Sequence, residues 1–113
     1  MRFGVRVIRL CQTLGDLGAA GVINRQLIRS GTSVGAQYRE ACRARSSAEF
    51  VSKVQSALQE LDESMYWMEL LIEAEIVERG KLKPLLMEAD ELAAIFVASV
   101  RTSRSRSASK KAD

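Results

Sequence analysis

The chain has 113 residues, 47% hydrophobic but only 5% aromatic, with one proline and no histidine. That length holds one domain, and few aromatics beside abundant Ala, Leu, Glu, Arg and Gln disfavour a sheet protein and favour helices. The net charge of +3 conceals a strong segregation: residues 1–56 carry +6, residues 57–100 carry −7 and the last thirteen carry +4. Such asymmetry bears on surfaces and partners, not on fold.

Four helical segments follow from the periodicity. Phe3, Val7, Leu10 and Leu14 recur at helical spacing and predict a first helix from about Arg2 to Leu14, ended by Gly15-Asp16-Leu17-Gly18. Val5 and Ile8 lie off that stripe, so this helix is expected to be covered on two faces. A second helix is predicted from about Ala19 to Ala44, on the stripe Ala20, Ile23, Leu27, Gly31, Val34, Tyr38 and Ala41. Its middle, Ser30-Gly31-Thr32-Ser33, is poor helix material, each such residue costing up to about 1 kcal/mol relative to alanine. Either the helix kinks there or small residues admit another backbone. One continuous, weakened helix is the preferred reading.

Ser46-Ser47-Ala48-Glu49 is a capping-box pattern and marks the start of the third helix. Phe50, Val54, Ala57, Leu61, Met65, Met68 and Ile72 then hold one face. Gly80 is read as the break before a fourth helix, with Pro84 in its first turn and Leu82, Leu86, Ala89, Ala93, Phe96 and Val100 as its core face. Short connections make this an all-α fold, an antiparallel up-down four-helix bundle over residues 1–100. The expected core includes Leu10, Leu27, Val34, Phe50, Leu61, Met68, Leu86 and Phe96, with about three-quarters of the chain helical. Residues 101–113, rich in Arg, Ser and Lys, lack a hydrophobic anchor and are expected to form a disordered basic tail.

No apolar run approaches the roughly 18 residues of a membrane span, and arginines interrupt the N-terminus where a signal peptide would be apolar. The chain is therefore expected in the cytoplasm. Cys11 and Cys42 have no metal-type spacing and are expected as two reduced thiols. Without histidine, the commonest general base and the commonest zinc ligand are both missing. No phosphate loop is present, and Glu60, Asp62, Glu63, Glu69 and Glu73 point away from the apolar stripe. Neither a catalytic residue, a metal site nor a cofactor is expected.

Two surface constellations remain. Arg25, Arg29, Arg39 and Arg43 share one narrow sector of the second helix, and four guanidiniums in line suit a nucleic-acid backbone. They equally suit ion pairing with the acidic third and fourth helices. Tyr66, Trp67 and Leu70 lie outside the core sector of the third helix and, with Val5 and Ile8, form a candidate oligomer interface. Alternatively, Trp67 packs sideways onto the Ile76-Val77 connection.

The run Gln26-Leu27-Ile28-Arg29-Ser30-Gly31-Thr32-Ser33-Val34-Gly35-Ala36, then Tyr38-Arg39-Glu40-Ala41 and Arg45-Ser46-Ser47-Ala48-Glu49-Phe50, resembles the bacterial four-helix-bundle family encoded in intervening sequences of 23S rRNA genes. The stretch from Leu58 to Leu71 is similar to that family's third helix. The lead into the first helix is shorter than usual. The resemblance implies a four-helix bundle that forms homopentamers. It extends to the accessory protein of diversity-generating retroelements, a pentameric bundle whose basic surface binds nucleic acid and a reverse transcriptase. The family offers no established catalytic residues to transfer. The expected function is a non-enzymatic homo-oligomeric binding module that contacts RNA or DNA. The rival is a protein–protein adaptor, for example an accessory subunit of a reverse transcriptase.

Overall fold

The computed structural model describes residues 2–112, with side chains placed from Arg2 to Ser109. It contains four helices: α1 (Arg2–Gln12), α2 (Gly18–Cys42), α3 (Ser47–Glu73) and α4 (Arg79–Ala112). Each packs on its neighbour in the chain, and a thinner contact between α1 and α4 closes the ring. The antiparallel bundle expected from the sequence is what the chain forms.

Helix α1 ends at Gln12, and Gly15 and Gly18 turn the chain with φ of 78° and 67°. Asn24 fastens this turn from α2: its Nδ2 donates to Cys11 O at 2.9 Å and to Gly15 O at 3.1 Å. The buried amide thus adds to the bond that Cys11 O takes from the Leu14 amide at 3.2 Å, and serves the Gly15 carbonyl in the turn.

The Ser30-Gly31 segment is continuous helix, and it is also a point of close approach. Gly31 faces Val7 so closely that a Cβ on it would stand 2.8 and 2.9 Å from the two Val7 methyl carbons. Ser30 faces α3, where the Ser64 Oγ lies 2.9 Å from the Ser30 Oγ and 2.8 Å from Glu60 O. Both serines are fully buried, so their pairing satisfies hydroxyls that would otherwise be costly. Small residues here let α1 and α3 both reach α2.

At the start of α3, Ser46 Oγ accepts from the Glu49 amide at 3.1 Å, while the Glu49 carboxylate accepts from the Arg45 amide at 3.2 Å. The capping box thus reaches back one residue further than its simplest form. The end of α3 corrects the expected break at Gly80. Glu75 adopts φ 59°, its amide donates to Ile72 O at 2.9 Å, and the Ile76 amide donates to Leu71 O at 3.0 Å. That is a Schellman stop with glutamate in the position glycine usually takes. Gly80 then falls inside α4, and Pro84 is its sixth residue, in the second turn and not the first. The carbonyl that Pro84 leaves without a donor belongs to exposed Gly80, where water can serve it.

Of the expected core, Leu27, Val34, Leu61, Met68 and Phe96 are buried, and Leu10, Phe50 and Leu86 pack half-buried at its margin. Each large buried side chain contributes roughly 1.5–3 kcal/mol. Burial ends at Val100, yet α4 does not. The structure draws residues 101–112 as helix, but without a buried side chain among those described, in keeping with the unanchored basic tail expected there. From Arg101 to Ala112 the segment contains no helix breaker, only Arg, Ser, Thr, Ala and Lys. It is held by its own backbone bonds, which are marginal in water without packing. Asp113 lies outside the described residues, as do the side chains of Lys110 and Lys111.

Helix lengths shape the molecule. At 1.5 Å per residue α1 spans about 16 Å and α4 about 51 Å, within overall extents of 57 × 22 × 19 Å. One end of the bundle therefore has four helices and the other three. Where α1 is absent, α2 meets α4 directly, and Tyr38 stacks on Phe96 with centroids 5.0 Å apart.

Candidate functional site

The four arginines expected to act together have different surroundings. Arg25 reaches the Asp16 carbonyl at 3.5 Å, beside the α1–α2 turn. Arg29 bridges α2 to α3: it pairs with Glu60 at 3.3 Å and with Glu63, and its Nε donates to Gln26 at 3.3 Å. Arg39 is exposed on the last turn of α2, and Arg43 is the helix C-cap. There the two positive charges complement the negative end of the helix dipole.

Arg29 instead joins the aromatic constellation. Glu63 accepts from Arg29 and stands 3.4 Å from Trp67 Nε1, and Trp67 lies edge-on to Tyr66 with centroids 5.0 Å apart. Two features that look separate in sequence are thus one network on the α2–α3 face. Trp67 and Leu70 are half-buried against the core, whereas Tyr66 is 57% exposed. Val5 and Ile8 are exposed on α1, diagonally across the bundle from α3. The proposed interface residues therefore form two patches on diagonal helices. Sequence reasoning passed over Leu17, Met87 and Ile95, which are more exposed than Val5. Leu17 stands at the N-cap of α2 and Ile95 on the outer side of α4, where a stripe count reads them as loop and core margin.

Arg39 and Arg43 meet other cations instead. The end of α2, the start of α3 and the last turns of α4 share one end of the molecule, which gathers Arg39, Arg43, Arg45, Lys53, Arg101, Arg104 and Arg106. Its acids are Glu40 and Glu49. Glu40 is held by Lys53 at 2.7 Å, and Glu49 by the capping box. Among the described residues none of those six arginines makes an ion pair. Beside them a cleft of about 1140 Å³ opens between the α2–α3 turn and α4. The far end mixes both signs: Asp16, Glu69, Glu73, Glu75 and Glu78 lie there with Arg9, Arg79, Lys81 and Lys83, and Arg79 pairs with Glu69 at 3.4 Å.

The two cysteines differ. Cys11 is buried, its thiol facing Asn24 O at 3.8 Å and pushed up to about 11 by burial. Cys42 is exposed. Tyr38, beside Cys42, is held above the ordinary tyrosine range by burial first and by its contact with that thiol second. Among the described residues no three His, Cys, Asp or Glu side chains gather as metal ligands, and no helix is long and apolar enough to cross a membrane.

An elongated ring of four helices with a tight Ser-Gly crossing and a cation-rich end is, in class, a four-helix-bundle protein. More specifically, the chain belongs to the 23S rRNA-intervening sequence protein family, whose model matches residues 1–98. A solved structure of a protein of unknown function from the S23 ribosomal protein family of Bacteroides thetaiotaomicron is 35% identical. That match covers 88% of this chain and 92% of the other, with a TM-score of 0.83. Among curated proteins none is significantly similar. The matched region stops before the basic extension, so Arg101, Arg104 and Arg106 lie outside the span that defines the family.

Proposed function

We propose that this protein is a non-enzymatic, homo-oligomeric binding module that contacts RNA or DNA through the basic end of its bundle. One observation carries the reading: six arginines converge there from α2, the following turn and α4, while both nearby acids are held by other partners. Unpaired guanidiniums are the groups that displace counterions from phosphates. Relative to the arginine stripe expected from sequence, Arg39 and Arg43 stay in the site, Arg29 leaves it for α3, and Arg25 is set apart.

Contact of this kind fixes position without reading bases, so binding should be weakly sequence-selective. Fluorescence anisotropy with labelled RNA and DNA oligonucleotides tests it, titrated between roughly 50 and 200 mM salt. Replacing Arg39 and Arg43 by glutamine should flatten the salt slope, by about 0.7–0.9 for each phosphate that is no longer neutralised. Replacing Arg25 and Arg29 should leave it nearly unchanged. Wild-type protein that ignores all these oligonucleotides at low salt would end the proposal.

The adaptor reading draws on a different observation, the apolar side chains Met87 and Ile95 exposed on α4. A partner protein such as a reverse transcriptase would cover them. Charge substitution at Met87, which lies outside the basic end, that abolished partner capture but spared nucleic-acid binding would favour it.

A further inference from the structure

We propose that the cleft at the three-helix end is a pocket for unpaired nucleotides, with Phe50 as the stacking surface and Arg45 and Arg106 as the phosphate clamp. This rests on the nucleic-acid reading above and narrows it to single strands. The cleft's composition carries the inference. Phe50, Ile95 and Ala98 give it an apolar floor, Arg45 and Arg106 enter from chain segments on opposite sides, and seven hydroxyl side chains complete the lining.

Among the described residues no carboxylate lines this cleft, although the chain has 14 acids. The next groove, between α1 and α4, is lined by Glu88 and Glu91 and has Arg6 tied to Glu88. Of these two grooves, the first combines cations, donors and an aromatic face without an opposing negative charge among the described residues. Its volume, about 1140 Å³, exceeds the roughly 300–1,000 Å³ of small-molecule sites. A segment of polymer suits that space better than one small ligand.

A paired helix hides its base faces, so stacking on a side chain requires an unpaired strand. Phe50 is half-buried, with part of its surface on the core and the rest in the cleft. It lies at the start of α3, facing the distal turns of α4 across the cleft.

The test uses the full chain and two labelled strands of about twelve nucleotides: oligouridylate, and an abasic strand of equal length and charge. Anisotropy should show the base-bearing strand bound between about fivefold and a hundredfold more tightly, the range for stacking a base on an aromatic ring. Phe50→Leu should erase that preference while far-UV circular dichroism is unchanged. Arg45→Gln with Arg106→Gln should weaken both strands alike. Equal binding of the two strands overturns the pocket and leaves the broader nucleic-acid reading standing, as does tighter binding of a duplex. Binding of neither strand nor duplex overturns both. The abasic comparison is made on wild-type protein, so it decides the matter even if Phe50→Leu fails to fold.

Discussion

Gly31 and Gly21 show how single atoms set the geometry of this bundle. Alanine ordinarily strengthens a helix by up to about 1 kcal/mol over glycine. At Gly31 the added methyl would press on both Val7 methyls, and Gly31→Ala should lose about 1–3 kcal/mol by overpacking. Gly21→Ala should lose more, because its Cβ would run into the Asp16 backbone carbonyl, which cannot rotate away. Urea midpoints order the three proteins. A stabilised Gly31→Ala would mean that α1 is not seated on α2. The cysteines offer a second check at this scale. One thiol per chain should react with a disulfide reagent in the native state at pH 8, and two after denaturation. Cys11 also makes stability depend on pH. Its folded value, about 11, lies above its ordinary 9.0, so its contribution is whole below pH 9 and is lost as pH rises through 11. The urea midpoint should fall across that window, and less steeply in Cys11→Ala.

Among the elements, the end of α3 and the end of α4 invite substitution. Glu75 is an L-residue held at φ 59°, a conformation costing about 1–2 kcal/mol that glycine adopts freely. Glu75→Gly should therefore raise stability, by up to about 1 kcal/mol, visible as a higher thermal midpoint. A loss would show that the Glu75 side chain contributes more than its backbone costs. The distal part of α4 is the opposite case, helix without a core. Deleting residues 101–113 should shift stability by no more than about 0.5 kcal/mol, since nothing described beyond Val100 is buried. It should nevertheless weaken nucleic-acid binding sharply, because Arg101, Arg104 and Arg106 leave with it.

For the whole molecule, the two exposed patches matter together. Val5 and Ile8 on α1 and Tyr66 on α3 lie on diagonal helices, so one copy can offer different surfaces to two neighbours. Interfaces of that head-to-tail kind form rings where the rotation between copies closes and filaments where it does not, and the family resemblance sets a closed ring of five as the expected assembly. Light scattering should then give a mass near five times 12.5 kDa. Tyr66→Glu with Ile8→Glu should reduce it to the single chain while preserving helicity. A monomeric wild type at tens of micromolar, well above the Kd of a standard interface, would refute the assembly. In a ring the basic ends recur, and linked sites raise apparent affinity for one strand without new contacts.

The sequence by itself determined the helices and their order, because apolar period, caps and short connections are local and repeat over many turns. Ser46 and Glu49 announced the start of α3, whereas the Ser30-Gly31 pair left a kink and a close approach equally open until the packing against Val7 chose the second. Local signals misled at Gly80, because any residue can stop a helix when its neighbours hold the αL turn, as Ile72 and Leu71 do for Glu75. The sequence also showed an arginine stripe without its division. Only tertiary structure placed Glu60 and Glu63 under Arg29, and brought Arg45 and Arg106 to one cleft from opposite parts of the chain. Long-range charge pairing depends on which helices become neighbours and where each one ends. The length of α4 decided the latter, by carrying Arg106 past the core to the cleft that Phe50 and Arg45 line.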